Sequence, residues 1–311
     1  MKRLGSFFVF FAWFFLQFSS AAESRAPKPQ RIVSLTLGSD EILLSLVDPG
    51  RILVITRYAT DPVISHVSHL AGAVPNKISQ IGTESIVALR PDIVFASSYS
   101  ATETIGQLKA LGLPVVTLEA FSTIEGIQEN IRRVGEAVGE TEKAEALIAE
   151  MNKDLASIAD RLSGITRRPG VLSFGLEGWT SGQETYFDEI VRLAGGRNLA
   201  AEAGVVGHPK LSIETVVDLD PEILILNAWQ PDADEAERLL RHHPVLQSVA
   251  AAKHDRVYSI PGKYLTSVSH FVVRGIEVLA RYLHPSLFNH SPSHSPSHSP
   301  SHGRSKSLSK Q

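Results

Sequence analysis

The chain contains no cysteine among its 311 residues. Because a cysteine-free exported protein forms no disulfides, its stability depends on its hydrophobic core alone. The same absence excludes lipid attachment at an N-terminal cysteine. It also argues against an enzyme built around a cysteine-ligated metal cluster.

The lack of a large positive charge and of catalytic motifs excludes further classes of function. The formal net charge is −3, so the sequence offers no broad basic surface for nucleic acid. The motifs G-x-S-x-G, G-x-x-x-x-G-K-[ST] and C-x-x-C are also missing. The residues therefore predict a protein that binds rather than catalyses, without a resident cofactor or metal.

The N-terminus carries an export pattern. Lys2 and Arg3 precede the apolar run Phe7–Leu16, and the small residues Ser20, Ala21 and Ala22 follow it. This order is typical of a secretory signal peptide cleaved after Ala22. The run is shorter than the roughly 20 residues that span a bilayer. We expect a free, soluble protein in the periplasm.

Strand and helix patterns alternate along most of the chain. "RIVSL", "RILVIT", "DIVFA" and "VVTL" read as buried strands separated by helices, the first of which has Ser39 as a plausible N-cap. "GVLSF", "EILIL" and "RVYSI" repeat the plan later, and a long helix runs between the halves from about Thr141 to Leu162. The prediction is an α/β fold: two Rossmann-like lobes with parallel sheets joined by a long rigid α-helix.

The predicted organisation has five parts. They are a signal peptide at 1–22, an N-terminal lobe at 23–140, the linking helix at 141–164, a C-terminal lobe at 165–288 and a tail at 289–311. The tail is a Ser/Pro/His repeat that cannot form a core. Its histidines raise a competing hypothesis, a periplasmic metal-ion buffer that uses cleft and tail histidines.

One helix–proline–strand unit occurs twice. "TESIVALRPDIVFA" begins at Thr83 and "IETVVDLDPEILIL" begins at Ile213. Glu84 aligns with Glu214, and Pro91 aligns with Pro221. A glutamate in the first turn is favoured by the helix dipole, which gives a purely local explanation of each one. The shared register instead indicates two lobes built on the same plan.

Aromatic residues follow five of the predicted strands. They are Tyr58, Tyr99, Trp179, Trp229 and Tyr264. Parallel sheets bind ligands at the carboxyl ends of their strands, so rings from both lobes are expected to line a cleft between them. His208 and His270 are further candidates that could approach this cleft and ligate a metal centre.

Several segments together resemble a known family. "RIVSLTLGSDEIL", "TESIVALRPDIVFAS", "LKALGLPVVTL", "LSIETVVDLDPEILIL" and "VYSIPGKY" occur in this order over about residues 30–284. Their order and spacing are similar to those of class III periplasmic substrate-binding proteins of ABC importers. That group binds cobalamin, ferric siderophores or haem.

The resemblance implies partners and site residues. Glu84 and Glu214 would project from the two lobe tips into arginine pockets of the permease dimer. Tyr58, Trp179 and His208 would stand near the ligand, while Arg57 and Lys263 are candidates for an anionic siderophore. A monomer is expected. Closure of the lobes around the ligand should be small, because the long helix resists bending. Cobalamin, ferric siderophore and haem remain open alternatives.

Overall fold

The computed structural model describes residues 27–79, 82–100, 102–228 and 233–288, without the side chains of residues 227, 228, 233 and 234. The predicted signal peptide, Trp229 and the tail lie outside these residues. None of the helices in the described ranges is long and apolar enough to cross a membrane.

The N-terminal sheet has five parallel strands in the order β3-β2-β1-β4-β5. The strands are β1 (Ile32–Ser34), β2 (Ile52–Thr56), β3 (Asn76–Ile78), β4 (Ile93–Ser97) and β5 (Val115–Leu118). The helices of this lobe are α1 (Leu37–Leu46), α2 (Ser68–Ala71), α3 (Thr83–Ala88) and α4 (Thr102–Ala110). The central strands are fully buried because helices cover both faces of a parallel sheet.

Two helices connect the lobes. They are α5 (Ile124–Val138) and α6 (Thr141–Leu162). The apolar positions of α5 recur every three or four residues, and they are all buried. Gly139, in the left-handed region with φ 72°, ends α5 and turns the chain into α6. The long helix therefore runs over the predicted residues.

The C-terminal sheet has four parallel strands in the order β7-β6-β8-β9. The strands are β6 (Gly170–Ser173), β7 (Arg197–Asn198), β8 (Ile223–Ala228) and β9 (Val257–Pro261). The helices are α7 (Tyr186–Leu193), α8 (Leu199–Glu202), α9 (Ile213–Leu219), α10 (Ala233–Arg241), α11 (Ala250–Lys253), α12 (Gly262–Leu265), α13 (Val272–Leu283) and α14 (Pro285–Phe288). Two parallel sheets joined by a long helix confirm the predicted fold class.

One apolar cluster extends through both lobes. It includes Phe95 of β4, Met151 of α6 and Leu279 of α13, each almost fully buried. Smaller clusters cover the outer face of each sheet. The two lobes thus share a core, which opposes independent movement of either lobe.

The repeated unit has the same structure in both lobes. Glu84 and Glu214 each occupy the second position of their helix, α3 and α9. Arg90 and Asp220, the residues before the two prolines, both lie in the left-handed region with φ 46° and 41°. Each helix stops before its proline, because the residue before proline avoids the right-handed helical region, and α9 runs one residue further than α3.

In each lobe an acidic side chain of the repeated unit accepts hydrogen bonds from backbone N–H groups at the start of the first strand. Asp92 accepts the backbone N–H groups of Gln30 and Arg31 at 2.7 and 2.9 Å. Glu222, its counterpart, accepts the N–H of Gly170 at 3.0 Å. The repeat therefore includes side-chain contacts as well as backbone shape.

The predicted cap of α1 is wrong. Ser39 lies inside the helix, and Thr36 is the N-cap, whose hydroxyl accepts the N–H of Ser39. The cap lies three residues earlier than predicted because the Thr36 hydroxyl satisfies a free N–H of the first turn.

Candidate functional site

A cavity of about 560 Å³ lies between the lobes. The N-terminal lobe contributes Tyr99, Phe121 and Ser122. The C-terminal lobe contributes Ser173, Gly175, Trp179, Thr180, Ser181, Glu184, Thr185, Tyr186, Phe187, His208, Leu226, Leu265, Thr266 and Val268. We call this space the interlobe cavity.

A second cavity of about 550 Å³ lies at the carboxyl ends of the N-terminal strands. Its lining includes eight hydroxyl-bearing residues: Thr36, Thr56, Tyr58, Ser79, Ser97, Tyr99, Ser100 and Thr104. Leu35, Leu37, Ile78 and Ile105 complete it. We call it the hydroxyl cavity. Tyr99 lines both spaces, so the two cavities are adjacent.

Tyr58 and Tyr99 lie where the sequence predicted them. Tyr58 follows β2 in a 3₁₀ turn, and the Arg57 guanidinium lies 5.5 Å from the centre of its ring. Tyr99 follows β4 and is 82% exposed, with its ring 5.6 Å from that of Phe121. An aromatic side chain this exposed can cover a ligand without breaking any core contact.

Trp179 and His208 lie on facing loops of the C-terminal lobe. Trp179 forms an isolated bridge with Lys210, whose ammonium lies 5.0 Å from the ring centre. His208 is held through its Nδ1, which is 3.0 Å from the Ser181 hydroxyl. Thr180 fixes the tryptophan loop by donating its hydroxyl to the Ser173 carbonyl at 2.6 Å.

Tyr264 does not line either cavity. Its ring packs edge-on against His66 at 5.3 Å, in the contact between the lobes. Trp229 lies outside the described residues. Of the six residues predicted at the ligand, the structure therefore brings four to the cavities: Tyr58, Tyr99, Trp179 and His208.

The sequence reasoning missed three aromatic residues of the interlobe cavity, Phe121, Tyr186 and Phe187. Phe121 comes three residues after β5, so the rule that found Tyr99 would have found it had phenylalanine been considered. Tyr186 and Phe187 begin α7 and do not follow a strand directly, so a search of the residues after each strand could not find them.

The histidines do not form a metal site in the described residues. No group of three or more His, Cys, Asp or Glu side chains there could hold a metal ion. The rings of His66 and His270 lie 4.6 and 3.9 Å from the ring of Phe271, and neither histidine lines the cavities. Burial and the nearby Arg274 charge lower the pKa of His66 to about 4 and that of His270 to about 3.

The cavity linings carry almost no charge. Glu184 is the one formally charged residue among the described side chains that line them, and His208 is the one imidazole. The cations Arg57 and Lys210 stack on aromatic rings, and Lys263 lies 5.4 Å from the Tyr264 ring centre. None of these three cations is a lining residue.

The two repeated glutamates are exposed. Glu214 has the fuller set of local contacts. Its own backbone N–H and then the Ser212 hydroxyl hold the pKa of Glu214 below its usual value. Ser212 also caps α9, whereas Gly82 begins α3 without a side-chain cap. Glu214 is thus held as a carboxylate, the form that pairs with arginine.

Comparisons with known proteins agree with this architecture. Residues 32–264 match the family described as periplasmic binding protein. A cobalamin-binding protein of Halobacterium salinarum is 27% identical over 271 residues, which cover 86% of this chain and 72% of that protein. The apo periplasmic heme-binding protein RhuT from Roseiflexus has a TM-score of 0.73 and 26% identity, covering 83% of this chain and 99% of that one. A periplasmic heme-binding protein from Pseudomonas aeruginosa has a TM-score of 0.71 and 26% identity, covering 83% and 94%.

Proposed function

The chain belongs to the periplasmic binding protein family, and we propose that it captures a cobalamin-like corrinoid for the permease of an ABC importer. This membership confirms the resemblance predicted from the sequence. The family consists of binding proteins rather than enzymes, and its members supply small ligands to cognate permeases.

The observation that carries the corrinoid proposal is the charge of the cavity linings. Haem and the carboxylate or catecholate ferric siderophores carry negative charges, which need Arg or Lys nearby because burying an unpaired charge is costly. Cobalamin presents a periphery of neutral amides around a flat ring, and the charge of its one phosphodiester is balanced within the molecule by the cobalt corrin. Linings with one carboxylate, one imidazole and no Arg or Lys among the described residues suit the neutral ligand better.

The shapes of the two cavities support the same ligand class. Aromatic rings from both lobes, such as Tyr99 and Trp179, can cover the faces of a flat macrocycle. The hydroxyl cavity beside them can exchange hydrogen bonds with amide arms, because each hydroxyl both donates and accepts. The cobalamin-binding relative from Halobacterium salinarum adds independent support.

Ligand titration tests this proposal. Without residues 1–22 the chain has two tryptophans, Trp179 and Trp229, so the Trp229→Phe variant makes Trp179 the single tryptophan reporter. We expect saturable quenching by cyanocobalamin and none by a panel of ferric siderophores. Saturable quenching by a siderophore without any by cyanocobalamin would reject the corrinoid assignment.

Haem is the second candidate. Tyr58, Tyr99 and His208 are side chains that can ligate iron, and both similar solved structures described above are heme-binding proteins. A haem complex would show a Soret band that shifts when the ligating tyrosine or histidine is replaced. Tight haemin binding with such a shift, and weak cobalamin binding, would favour haem.

For docking, we propose that Glu84 and Glu214 contact the two permease subunits. A two-fold permease can present the same arginine pocket twice, so a carrier with two similar lobes would meet it with the same carboxylate twice. Both glutamates are exposed at the second position of matching helices, and both units are anchored by a buried residue, Ile86 or Val216.

The docking proposal separates transport from binding. Replacing both glutamates by alanine is expected to abolish ligand uptake by cells while leaving the ligand Kd unchanged. Glu142→Ala is the matched control, because Glu142 is an exposed first-turn glutamate on α6. Uptake that survives the double replacement would contradict the proposal.

We further propose that residues 1–22 are a cleaved signal peptide and that the mature protein is a periplasmic monomer. The order of charged, apolar and small residues supports cleavage after Ala22. Mass spectrometry of the exported protein would show an N-terminus at Glu23. Light scattering would give the mass of a single chain.

A further inference from the structure

A buried carboxylate joins the two lobes. Glu41 of α1 is fully buried in the N-terminal lobe. Its Oε2 accepts the hydroxyls of Ser267 and Ser269 at 2.6 Å each, and its Oε1 accepts the backbone N–H of His66 at 3.0 Å. The two serines lie between α12 and α13 in the C-terminal lobe. One side chain therefore holds segments from both lobes.

The surrounding contact is close-packed. Lys263 donates its N–H to the Val63 carbonyl at 2.9 Å, and its own carbonyl accepts from the His66 Nε2 at 2.9 Å. A Cβ added to Gly38 would lie 2.9 Å from the Val268 side chain, so the start of α1 leaves no room for one. The lobes thus meet through hydrogen bonds and direct packing.

The segment that Glu41 holds is also a cavity wall. Thr266 and Val268 line the interlobe cavity, while the residues that alternate with them, Ser267 and Ser269, bind Glu41. The two sets of contacts place the cavity on one side of this segment and Glu41 on the other. A shift of the Glu41 carboxylate would therefore move the cavity wall.

The environment of Glu41 makes its hydrogen bonds necessary. Burial raises the pKa of Glu41 above its ordinary value, whereas the hydroxyls of Ser267 and Ser269, the His66 N–H and the Arg274 charge act in the opposite direction. Asp40 and the Tyr186 phenol are acidic groups nearby. A buried acidic side chain that loses its hydrogen-bond partners is unfavourable, so the hydrogen-bonded arrangement resists opening.

We propose that Glu41 is a positioning residue, which sets the wall of the interlobe cavity and the relative placement of the two lobes. The spacing of Glu84 and Glu214 then stays fixed before ligand arrives. The effect on ligand affinity rests on the proposed function, whereas the effect on lobe placement does not.

The test uses the full mature chain with Ser267→Ala and Ser269→Ala combined. The chain has no cysteine, so Ala88→Cys and Asp218→Cys place spin labels only at matching exposed positions of α3 and α9. Double electron–electron resonance then measures the distance between the two spin labels in the ligand-free protein. The matched control is Ser34→Ala with Ser39→Ala, a buried serine pair that hydrogen-bonds within the N-terminal lobe at 2.7 Å.

We expect a broader distance distribution for the 267/269 variant and a cyanocobalamin affinity roughly tenfold lower or more. The control should keep the narrow distribution of the unmodified chain. A narrow distribution and unchanged affinity in the 267/269 variant would overturn the proposal. A broadened distance distribution in a protein that does not bind cyanocobalamin would support Glu41 as a positioning residue and reject the corrinoid as the ligand. If the double variant does not fold, Ser267→Ala and Ser269→Ala alone give the same two measurements.

Discussion

Replacing Trp179 by alanine should weaken ligand binding by roughly 50-fold. The side chain is 49% exposed, at the edge of the interlobe cavity. A buried aromatic ring contributes about 150–250 Å² of contact area, so roughly 100 Å² of Trp179 remains for a ligand to cover. At about 25 cal/mol per Å² this area is worth ~2.5 kcal/mol. Since about 1.4 kcal/mol equals tenfold in Kd, complete coverage gives roughly 50-fold and half coverage roughly tenfold.

The assay is calorimetric titration with cyanocobalamin. Leu111→Ala is the matched control, because Leu111 is 61% exposed and lines neither cavity. Both variants should unfold at nearly the temperature of the unmodified chain, since neither residue belongs to the core. A Trp179→Ala protein whose Kd stays within about twofold of the original would refute the placement of the ligand against this ring.

Three further predictions concern stability and the tail. Gly275→Ala should destabilise the fold by about 1–3 kcal/mol, because its Cβ would lie 2.0 Å from the Tyr264 carbonyl oxygen, whereas Gly106→Ala in α4 meets nothing within 4 Å and should stabilise by up to about 1 kcal/mol. Thermal unfolding of both variants measures this contrast, and equal shifts would contradict it. The folded-state pKa of His66, about 4, lies below its ordinary 6.5, so the unfolded chain binds the proton first as the pH falls. The free energy of unfolding of the original chain, relative to that of His66→Gln, should therefore fall by up to about 3 kcal/mol between pH 6.5 and 4. Urea unfolding at several pH values measures this difference. A difference that does not change with pH would show that His66 titrates normally. Deleting residues 289–311 should leave ligand affinity unchanged, and a loss of cyanocobalamin binding would assign the tail a role in the site.

Local patterns explain how much of the fold could be predicted. The stripe Ile127, Ile131 and Val134 repeats at helical spacing, and it is the buried face of α5. Prolines after two similar helices identified the repeated unit, because proline restricts the residue before it. The cap of α1 was placed wrongly since serine at 39 and threonine at 36 are both good caps, and only backbone geometry distinguishes them.

The site was harder to predict for a different reason. The carboxyl ends of parallel strands do meet at the cleft, so Tyr58, Tyr99 and Trp179 were placed near the cavities. Tyr264 also follows a strand, yet it packs on His66 because α12 begins at once and turns the ring toward the lobe contact. The rule that ligands bind at the carboxyl ends of parallel strands predicts the position of a residue in the sheet but not the direction of its side chain.

The sequence by itself determined the alternation of strands and helices, the long connection between two similar halves and the matched positions of Glu84 and Glu214. These features depend on residues close together in the chain, whose periodicity and turn chemistry act locally. Tertiary structure alone decided that Glu41 meets Ser267, which is 226 residues away, and that Tyr99 belongs to both cavities. Such contacts arise only when the two lobes pack into a shared core, and no local pattern specifies which distant side chains that packing brings together.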